Sequence, residues 1–346
     1  MSLQSKHIRL NEIITTPMMN EGSIWRAGTD GYWSMLDKDT MAAFQNDLGT
    51  MSPQDVVRKH FPDLEDLIFS PRRTGGIGML DISPDDVVVD AGCMWGALTV
   101  PLARTGATVI GLDQTIHSLN LLRARLDEEG LDNAYVVQTD LNQIEFEPNS
   151  IDVLVLNGVM EWLAEGDIEA QKMWDTHAYN TDAKQMRSTP RDVQLRFLKT
   201  VCAALKPGGR IYLAIENRYD VANFFGARDP HTGQRGVTVL PRRLQDKLAR
   251  AITGRPYRAW IYGQDQLRDL LSEAGFASST THYVFPDYRY PDLILSKTGM
   301  SQFRPVRYLK SGRFITKLYW YALETVFYKI LKCGALAPSF VVIGRK

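Results

Sequence analysis

An acidic residue followed by two glycines, in the segment DAGCMWG at residues 90–96, has the composition of a ligand-binding loop. Asp90 ends the apolar run VVVD, and Gly92 and Gly96 lead into the apolar segment ALTVPLA. A strand that turns through glycines into a helix lets the backbone approach a ligand closely. A second acid, Asp113, ends the next apolar run, at about the spacing of an acid that accepts hydrogen bonds from ribose hydroxyls. These residues predict a ligand that contains a ribose.

Two such ligands fit the loop, a dinucleotide and S-adenosylmethionine, and Asp90 discriminates between them. A carboxylate at the end of the strand would repel a pyrophosphate, but it would attract the ammonium and sulfonium groups of S-adenosylmethionine. The spacing G-x-x-x-G also departs from the G-x-G-x-x-G pattern of dinucleotide-binding loops. The alternative for Asp90 is a structural one, in which it only caps the next helix.

The elements that must position these residues alternate along the chain. Segments with helical patterns separate five predicted strands, at 87–90, 108–113, 134–140, 152–158 and 210–216. This alternation implies right-handed βαβ units and a parallel sheet, whose ligands bind outside the carboxyl ends of the strands. The residues at those ends are polar: Asp90, Asp113, Asp140, Asn157 and Glu216.

Composition narrows the class of protein. The 346 residues include 40 Lys+Arg and 40 Asp+Glu, so no basic excess predicts nucleic acid as a partner. The three cysteines form no CxxC pair, which favours a reducing compartment, and no metal-binding motif is present. No apolar run has the roughly 18 residues needed to span a bilayer, and the first residues lack the apolar core of a signal peptide. We expect a cytoplasmic protein without stable membrane insertion, and a homodimer is left open.

The ordered motifs resemble those of the class I S-adenosylmethionine-dependent methyltransferases. They are DAGCMWG, GLDQT, QTDLN, DVLVLNGVMEWL and LKPGGRIYLAIE, within roughly residues 75–285. Met94 stands where the first motif of the family has its middle glycine. The resemblance implies an α/β Rossmann-like sheet of order 3-2-1-4-5-7-6, with helices on both faces and inserted cap or lid segments. The antiparallel seventh strand would be SFVVIGR.

The resemblance also implies a division of the chain and a cofactor. An N-terminal helical or cap segment at 1–75 would precede a methyltransferase domain at 76–346, with insertions at 165–189, 217–260 and 287–336. The cofactor would be S-adenosyl-L-methionine, converted to S-adenosyl-L-homocysteine. Its predicted contacts are Asp90, Gly92, Cys93, Gly96, Asp113, Gln114, Asp140, Leu141, Asn157 and Gly158.

Methyl transfer to a hydroxyl requires a group that accepts a proton. His231 in DPHTG, oriented by Asp229, is the first choice; Glu161, directly after strand four, and His177 are others. For each of these residues a plain structural role is the alternative. The predicted substrate contacts are Trp162, His177, Glu216, Asn217, Arg218, Asp287, Tyr288 and Tyr290.

The preferred acceptor is a hydroxyl of a sugar or a similar polar natural product, that is, a small molecule or a glycan. NGVMEW, AIENR, DPHTG and PDYRYP resemble a bacterial subgroup associated with surface-glycan and natural-product biosynthesis. The alternatives are transfer to nitrogen or carbon, an NAD-dependent oxidoreductase, and a scaffold without activity. A basic, aromatic helix near 313–332 could lie on a membrane surface, although a cover for the pocket or a dimer face is preferred.

Overall fold

The computed structural model describes residues 10–27, 38–164, 188–229, 233–254, 256–307 and 314–346. Within this part of the chain, ten strands form one sheet. They are β1 Met19–Glu21, β2 Ile24–Ala27, β3 Val87–Ala91, β4 Thr108–Asp113, β5 Ala134–Thr139, β6 Ile151–Asn157, β7 Leu205–Glu216, β8 Ser278–Phe285, β9 Leu293–Leu295 and β10 Ser339–Arg345.

The strand order confirms the expected fold class. The sheet runs β1-β2-β5-β4-β3-β6-β7-β10-β8-β9. Strands β5, β4, β3, β6 and β7 pair in parallel, whereas β10 lies antiparallel between β7 and β8. Counted from β3, the seven strands from β5 to β8 therefore have the order 3-2-1-4-5-7-6. The short strands β1, β2 and β9, which lack a clear apolar pattern, extend the sheet at its two edges.

Helices flank the sheet, and their ends follow local capping rules. Ser52 accepts a hydrogen bond from the N–H of Asp55, and Pro53 occupies the first position of α2. Thr189 and Asp192 form a capping box. The α-helices of the described residues are α1 Lys38–Leu48, α2 Pro53–His60, α3 Pro62–Phe69, α4 Thr99–Ala103, α5 Ile116–Glu128, α6 Pro190–Ala204, α7 Val221–Phe224, α8 Arg242–Thr253, α9 Gln264–Ala274 and α10 Phe314–Glu324.

Alternating residues of the central strands build two cores, one on each face. Val87 and Val89 of β3 pack into the core that includes α6 and α9, and Val88 packs into the one that includes α4 and α5. Strands buried on both faces read as continuous apolar runs, which is why 87–90 and 152–158 could be recognised from the sequence. Within the described ranges, no helix is long and apolar enough to cross a bilayer.

The N-terminal helices pack directly on the loop that follows β3. Trp95 of that loop lies against Phe44 of α1 and against Phe61, with ring centroids 5.8 and 5.2 Å apart. Its indole N–H donates to the hydroxyl of Ser118 at 2.7 Å. Residues of the N-terminal segment thus belong to the same body as the sheet, and β1 and β2 even extend it.

Candidate active site

The loop after β3 has the conformation that its glycines suggested. Gly92 and Gly96 have φ angles of 78° and 76°, and a Cβ at Gly92 would stand 2.4 Å from Cγ2 of Val159. Met94 also takes a left-handed conformation, with φ at 44°. Its N–H donates to the carboxylate of Asp113 at 2.9 Å, which holds the residue in a region that side chains disfavour. Met94 thus occupies the conformation for which the family uses glycine.

Asp113 lies at the carboxyl end of β4, where a ribose would be held. Its two oxygens accept from the N–H groups of Met94 and Thr115, each at 2.9 Å. Burial raises the pKa of Asp113, and these two backbone donors oppose that effect. Each carboxylate oxygen can accept a further hydrogen bond, so the side chain is fixed in place and can still take ligand hydroxyls.

Asp90 is a buried acid that feels the charge of Arg73, a half-buried base. Its carboxylate is 2% exposed and accepts from the hydroxyl of Thr99, at the start of α4, at 2.6 Å. Burial raises the pKa of Asp90 to about 6, while the Thr99 hydroxyl and the charge of Arg73 act to lower it. This bond comes from a side-chain hydroxyl and is not a helix cap, since α4 has no side-chain cap at Leu98, and it uses only part of the carboxylate.

Arg73 supplies the positive charge beside Asp90. It lies in the 3-10 turn Pro71–Thr74, directly after α3. Burial lowers the pKa of Arg73, and Nε and Nη1 find no hydrogen-bond partner among the described residues. A buried guanidinium is expected to bind an anion. Asp90 and Arg73 together therefore suit a ligand that carries an ammonium and a carboxylate side by side.

The next strand end contributes a buried amide. Asn157 of β6 is 8% exposed, and neither its side-chain oxygen nor its nitrogen has a partner in the described part of the chain. The adjacent Gly158 has a φ of 70°, and a Cβ there would stand 2.3 Å from the Tyr288 hydroxyl. The tyrosine can reach this strand end only because residue 158 is glycine.

Tyr288 connects this strand end to Glu216 of β7. Its hydroxyl donates to Oε1 of Glu216 at 3.2 Å, and Oε2 of Glu216 is buried with no partner among the described residues. Burial raises the pKa of Tyr288 well above its usual value, and the charges of Glu216 and Glu161 add to that effect. The tyrosine is therefore a neutral donor at ordinary pH. Glu161 is itself fully buried, so two acids, Glu216 and Glu161, act on Tyr288.

A polar cavity of about 440 Å³ opens beside Glu216. Asp287 and Arg289 of the β8–β9 loop line one part of it, and Arg307 and Trp320 line another. Arg307 forms an ion pair with Asp220 at 2.6 Å and lies 5.1 Å from the centroid of the Trp320 ring. Acids, guanidinium groups and an indole together suit a polar ligand that also presents apolar faces.

Several of the predicted cofactor contacts lie at this edge of the sheet, and they differ in how far the protein already uses their polar groups. Asp140 accepts from the N–H of Asn142 at 2.9 Å, and the carbonyl of Gln114 accepts from Gln138 at 3.0 Å. Cys93 and Leu141 are buried in the cores, and burial raises the pKa of the Cys93 thiol. Both side chains therefore pack the protein, which leaves their backbone as the part that could meet a cofactor.

Among the predicted substrate contacts, the loop 286–291 is positioned by its own acid. Asp287 accepts from the N–H groups of Arg289 and Tyr290, at 2.9 and 3.1 Å. The Tyr290 ring lies 5.8 Å from the guanidinium carbon of Arg72. Trp162 is 38% exposed on the turn after β6.

Two of the predicted substrate contacts use their side chains in hydrogen bonds within the protein. Arg218 is 4% exposed and donates to the carbonyls of Thr238 and Leu240, so it anchors a loop and does not face the cavity. Asn217 does border the cavity, but its amide donates to the carbonyls of Ala335 and Ala337, at 2.8 and 2.7 Å. Both side chains satisfy backbone carbonyls that would otherwise be buried alone.

The histidine predictions fall outside the described ranges, as His231 and His177 both do. Asp229, expected to orient His231, is 1% exposed, and its backbone closes a turn with Gly233 and Gln234. Arg73 is the residue that sequence reasoning missed. The only local signal is the pair of arginines in SPRRTGG, and nothing in that pattern places the second of them next to Asp90.

Comparisons with known proteins bear on this domain. Residues 88–176 match the family Methyltransf_25, described as a methyltransferase domain. A ubiquinone biosynthesis O-methyltransferase of Methylobacterium sp. is 29% identical over 131 residues, 38% of this chain and 41% of that protein. A 23S rRNA (uracil(1939)-C(5))-methyltransferase of Xanthomonas campestris pv. campestris is 39% identical over 67 residues, 19% of this chain and 15% of that protein.

Similarity to solved structures is weaker. An S-adenosylmethionine dependent methyltransferase from Mesorhizobium loti is 16% identical, over 81% of this chain and 100% of that chain, with a TM-score of 0.44. That score is too low to carry an argument. The chain spans half or less of the first curated relatives that it matches, 41% and 50% of their length.

The family match and the strand order agree with the motifs read from the sequence. The match begins within β3 and includes the loop with Gly92, the acid Asp113 and the strand end at Asn157. The alternative interpretation as a nicotinamide-dependent oxidoreductase is disfavoured, because the matched family is one of methyltransferases. Residues 88–176 are therefore similar to a methyltransferase domain, and the strand order is the one that the resemblance to the class I S-adenosylmethionine-dependent methyltransferases implies.

Proposed function

We propose that this protein transfers a methyl group from S-adenosylmethionine to a hydroxyl group of a sugar or a similar polar small molecule. The observation that carries the proposal is the polar cavity beside Glu216, whose Oε2 is buried without a partner among the described residues. A role in surface-glycan or natural-product biosynthesis would follow from such an acceptor.

The residues present fit the cofactor. S-adenosylmethionine supplies an electrophilic methyl group on a sulfonium, together with an ammonium, a carboxylate and a ribose. Asp90 would hold the ammonium and Arg73 the carboxylate, because the two opposite charges act on each other across the site. Asp113 would accept from the ribose hydroxyls. The amide of Asn157, which lacks a partner in the described chain, would complete the set.

Glu216 is proposed to take the proton that the acceptor hydroxyl loses. One of its oxygens is already held by Tyr288, which fixes the side chain, and the other is directed to no described protein group. A positioned carboxylate of this kind can act as a general base. His231 remains a competing base, and Asp229 would orient it.

Two observations favour an acceptor hydroxyl and a working enzyme. Relatives named O-methyltransferases match part of this chain, although a relative that is named for transfer to carbon also matches part of it. Transfer to nitrogen or carbon is therefore the alternative. Buried polar groups without partners are costly, which argues against an inert scaffold, since a scaffold would gain by losing them.

The test is a transfer assay with isotopically labelled S-adenosylmethionine and a panel of sugars, phenols and amines. We expect label on an oxygen of one hydroxylated acceptor. Glu216→Gln should lower kcat by about 100- to 10,000-fold and leave cofactor affinity unchanged. Glu147→Gln, at an exposed position, is the matched control.

Three outcomes would contradict the proposal in different ways. Label on a nitrogen or carbon atom would show that the methyl group is not transferred to a hydroxyl. Full activity of Glu216→Gln with loss of activity in His231→Ala would move the base to His231. If calorimetry detects no binding of S-adenosylmethionine, the proposed methyltransferase activity is wrong.

A further inference from the structure

A broad apolar face lies exposed on the C-terminal helix, outside the site described above. The exposed side chains of α10 and of the turn that follows it form a surface that we call the C-terminal apolar face. Phe314 and Ile315 are 80% and 81% exposed, and Leu318 is 60% exposed. Ile330 and Leu331, beyond the end of α10, are 65% and 61% exposed. So many large apolar side chains in one stretch are unusual for a surface that meets only water.

Aromatic rings of a second helix extend this face. Phe225, directly after α7, is 52% exposed, and its ring lies 6.4 Å from Tyr319 and 6.2 Å from Phe327. The adjacent Phe224 is 55% exposed. The C-terminal apolar face is therefore formed by two elements that contact each other and is not a single frayed helix.

The charges on this face have one sign. Lys317, Lys329 and Lys332 are exposed, and none of them forms an ion pair with a described residue. Glu324 is the one acid between residues 314 and 332, and it is fully buried. It accepts from the N–H groups of Val306 and Arg307, at 2.8 and 3.0 Å. The exposed face therefore presents lysines and no acid.

The opposite side of the same helix is firmly anchored. Trp320 lies against the Arg307 guanidinium, and the ring of Tyr328 packs 4.9 Å from that of Phe285. The Tyr328 hydroxyl donates to the carbonyl of Leu336 at 2.7 Å. Because these buried contacts fix the rotation of the helix, its apolar side cannot turn inward and must meet another surface.

We propose that the C-terminal apolar face binds the surface of an anionic lipid bilayer. Apolar side chains would enter the boundary between headgroups and acyl chains, and the lysines would contact the anionic headgroups. Tyr319 and Tyr321, which are 39% and 46% exposed, would lie at that boundary. A second copy of the chain fits less well. In a two-fold interface the same patch faces itself, which brings like charges together. An anionic bilayer neutralises those charges.

The test is co-sedimentation of the full chain with two kinds of vesicle. One kind is phosphatidylcholine alone, and the other is phosphatidylcholine with an equal part of phosphatidylglycerol. We expect binding to the anionic vesicles that salt weakens. Ile315→Gln with Leu318→Gln should lower the partition constant at least about tenfold. Met19→Gln, at a position 68% exposed on β1, is the control and should change nothing.

The lysines provide an independent measurement. Lys329→Gln and Lys332→Gln should each lower binding to the anionic vesicles about fivefold and leave binding to phosphatidylcholine unchanged. Equal sedimentation of the wild type and the Ile315→Gln, Leu318→Gln variant would overturn the proposal. So would a wild-type dimer that the same variant converts to a monomer while neither binds vesicles. Neither readout depends on methyl transfer, so the proposed function is tested separately.

Discussion

Asp90 illustrates how a residue that is proposed to bind a ligand can oppose folding. Its carboxyl has a pKa of about 6 because it is buried. The usual value is about 3.9. Between these two values the native state binds more protons than the unfolded state, so stability falls as the pH rises through this window. Above it, the buried charge is a constant cost to the apo protein.

We therefore predict that Asp90→Asn stabilises the apo protein and weakens cofactor binding. At neutral pH the free energy of unfolding should rise by between about 1 and 3 kcal/mol, and below about pH 4 the gain should vanish. The asparagine can still accept from the Thr99 hydroxyl, so this hydrogen bond is preserved. Urea unfolding at several pH values measures the effect.

The ionisation of Asp90 that lowers the stability of the apo protein should raise the affinity of the wild type for S-adenosylmethionine. Protonated Asp90 no longer attracts an ammonium, so affinity for S-adenosylmethionine should fall as the pH falls through about 6. In Asp90→Asn this pH dependence should be absent and affinity should be lower by about tenfold or more at neutral pH. If Asp90→Asn destabilises the apo protein, the assigned pKa is wrong.

At the scale of elements, the loop after β3 has two functions that its sequence did not separate. Gly92, Met94 and Asp113 shape the site, whereas Trp95 of the same loop faces away from it and packs on α1 and α2. That packing positions the chain that leads through α3 to Arg73. The N-terminal segment therefore carries Arg73, the group proposed to bind the cofactor carboxylate, and Trp95 is one of the contacts that hold this segment.

We predict that Trp95→Ala weakens cofactor binding without touching the cofactor. Removal of a buried tryptophan should lower the free energy of unfolding by about 3–5 kcal/mol. Affinity for S-adenosylmethionine should fall as it does in Arg73→Met, because the segment that carries Arg73 loosens. Hydrogen exchange should show faster exchange in 53–74 than in β3–β7. Trp162→Ala, at a more exposed tryptophan, is the control for stability.

An unchanged cofactor affinity in Trp95→Ala would show that Arg73 is positioned by other contacts. One other contact exists at Gly76, where a Cβ would lie 2.1 Å from the hydroxyl of Tyr212 on β7. Comparison of Arg73→Met with Arg73→Lys would then decide whether the cofactor needs the guanidinium at all.

Features encoded by short stretches of sequence could be predicted, whereas features that depend on contacts between distant parts of the chain could not. The central strands and the acids at their ends are encoded by short apolar runs, and the order of motifs implied the order of strands. Arg73 could not be assigned, because its place beside Asp90 depends on the packing of helices from a different part of the chain. The hydrogen bonds of Arg218 to the carbonyls of Thr238 and Leu240 could not be predicted either, because they depend on how the following loop folds back.

At the scale of the whole molecule, β10 joins the two halves of the candidate site. It is the last strand described, yet it lies between β7, which ends in Glu216, and β8, which leads to the loop with Tyr288. Ser339 of β10 pairs with Glu216 on one side and with Val284 on the other. The hydrogen bond between Tyr288 and Glu216 therefore spans a gap whose width β10 sets.

We predict that Phe340→Ala in β10 damages methyl transfer more than cofactor binding. Phe340 is fully buried, and its ring lies 6.2 Å from that of Tyr283 on β8. The cavity left by the change should lower the free energy of unfolding by about 3–5 kcal/mol. Phe314→Ala, at a position 80% exposed, should stay within about 0.5 kcal/mol of the wild type.

Because β3 and β4 carry the cofactor contacts and lie away from β10, affinity for S-adenosylmethionine should change little where the variant is folded. Turnover should fall, since Tyr288 and Glu216 no longer keep their distance. Equal losses in affinity and turnover would show that β10 acts on the whole sheet and does not set the acceptor side alone.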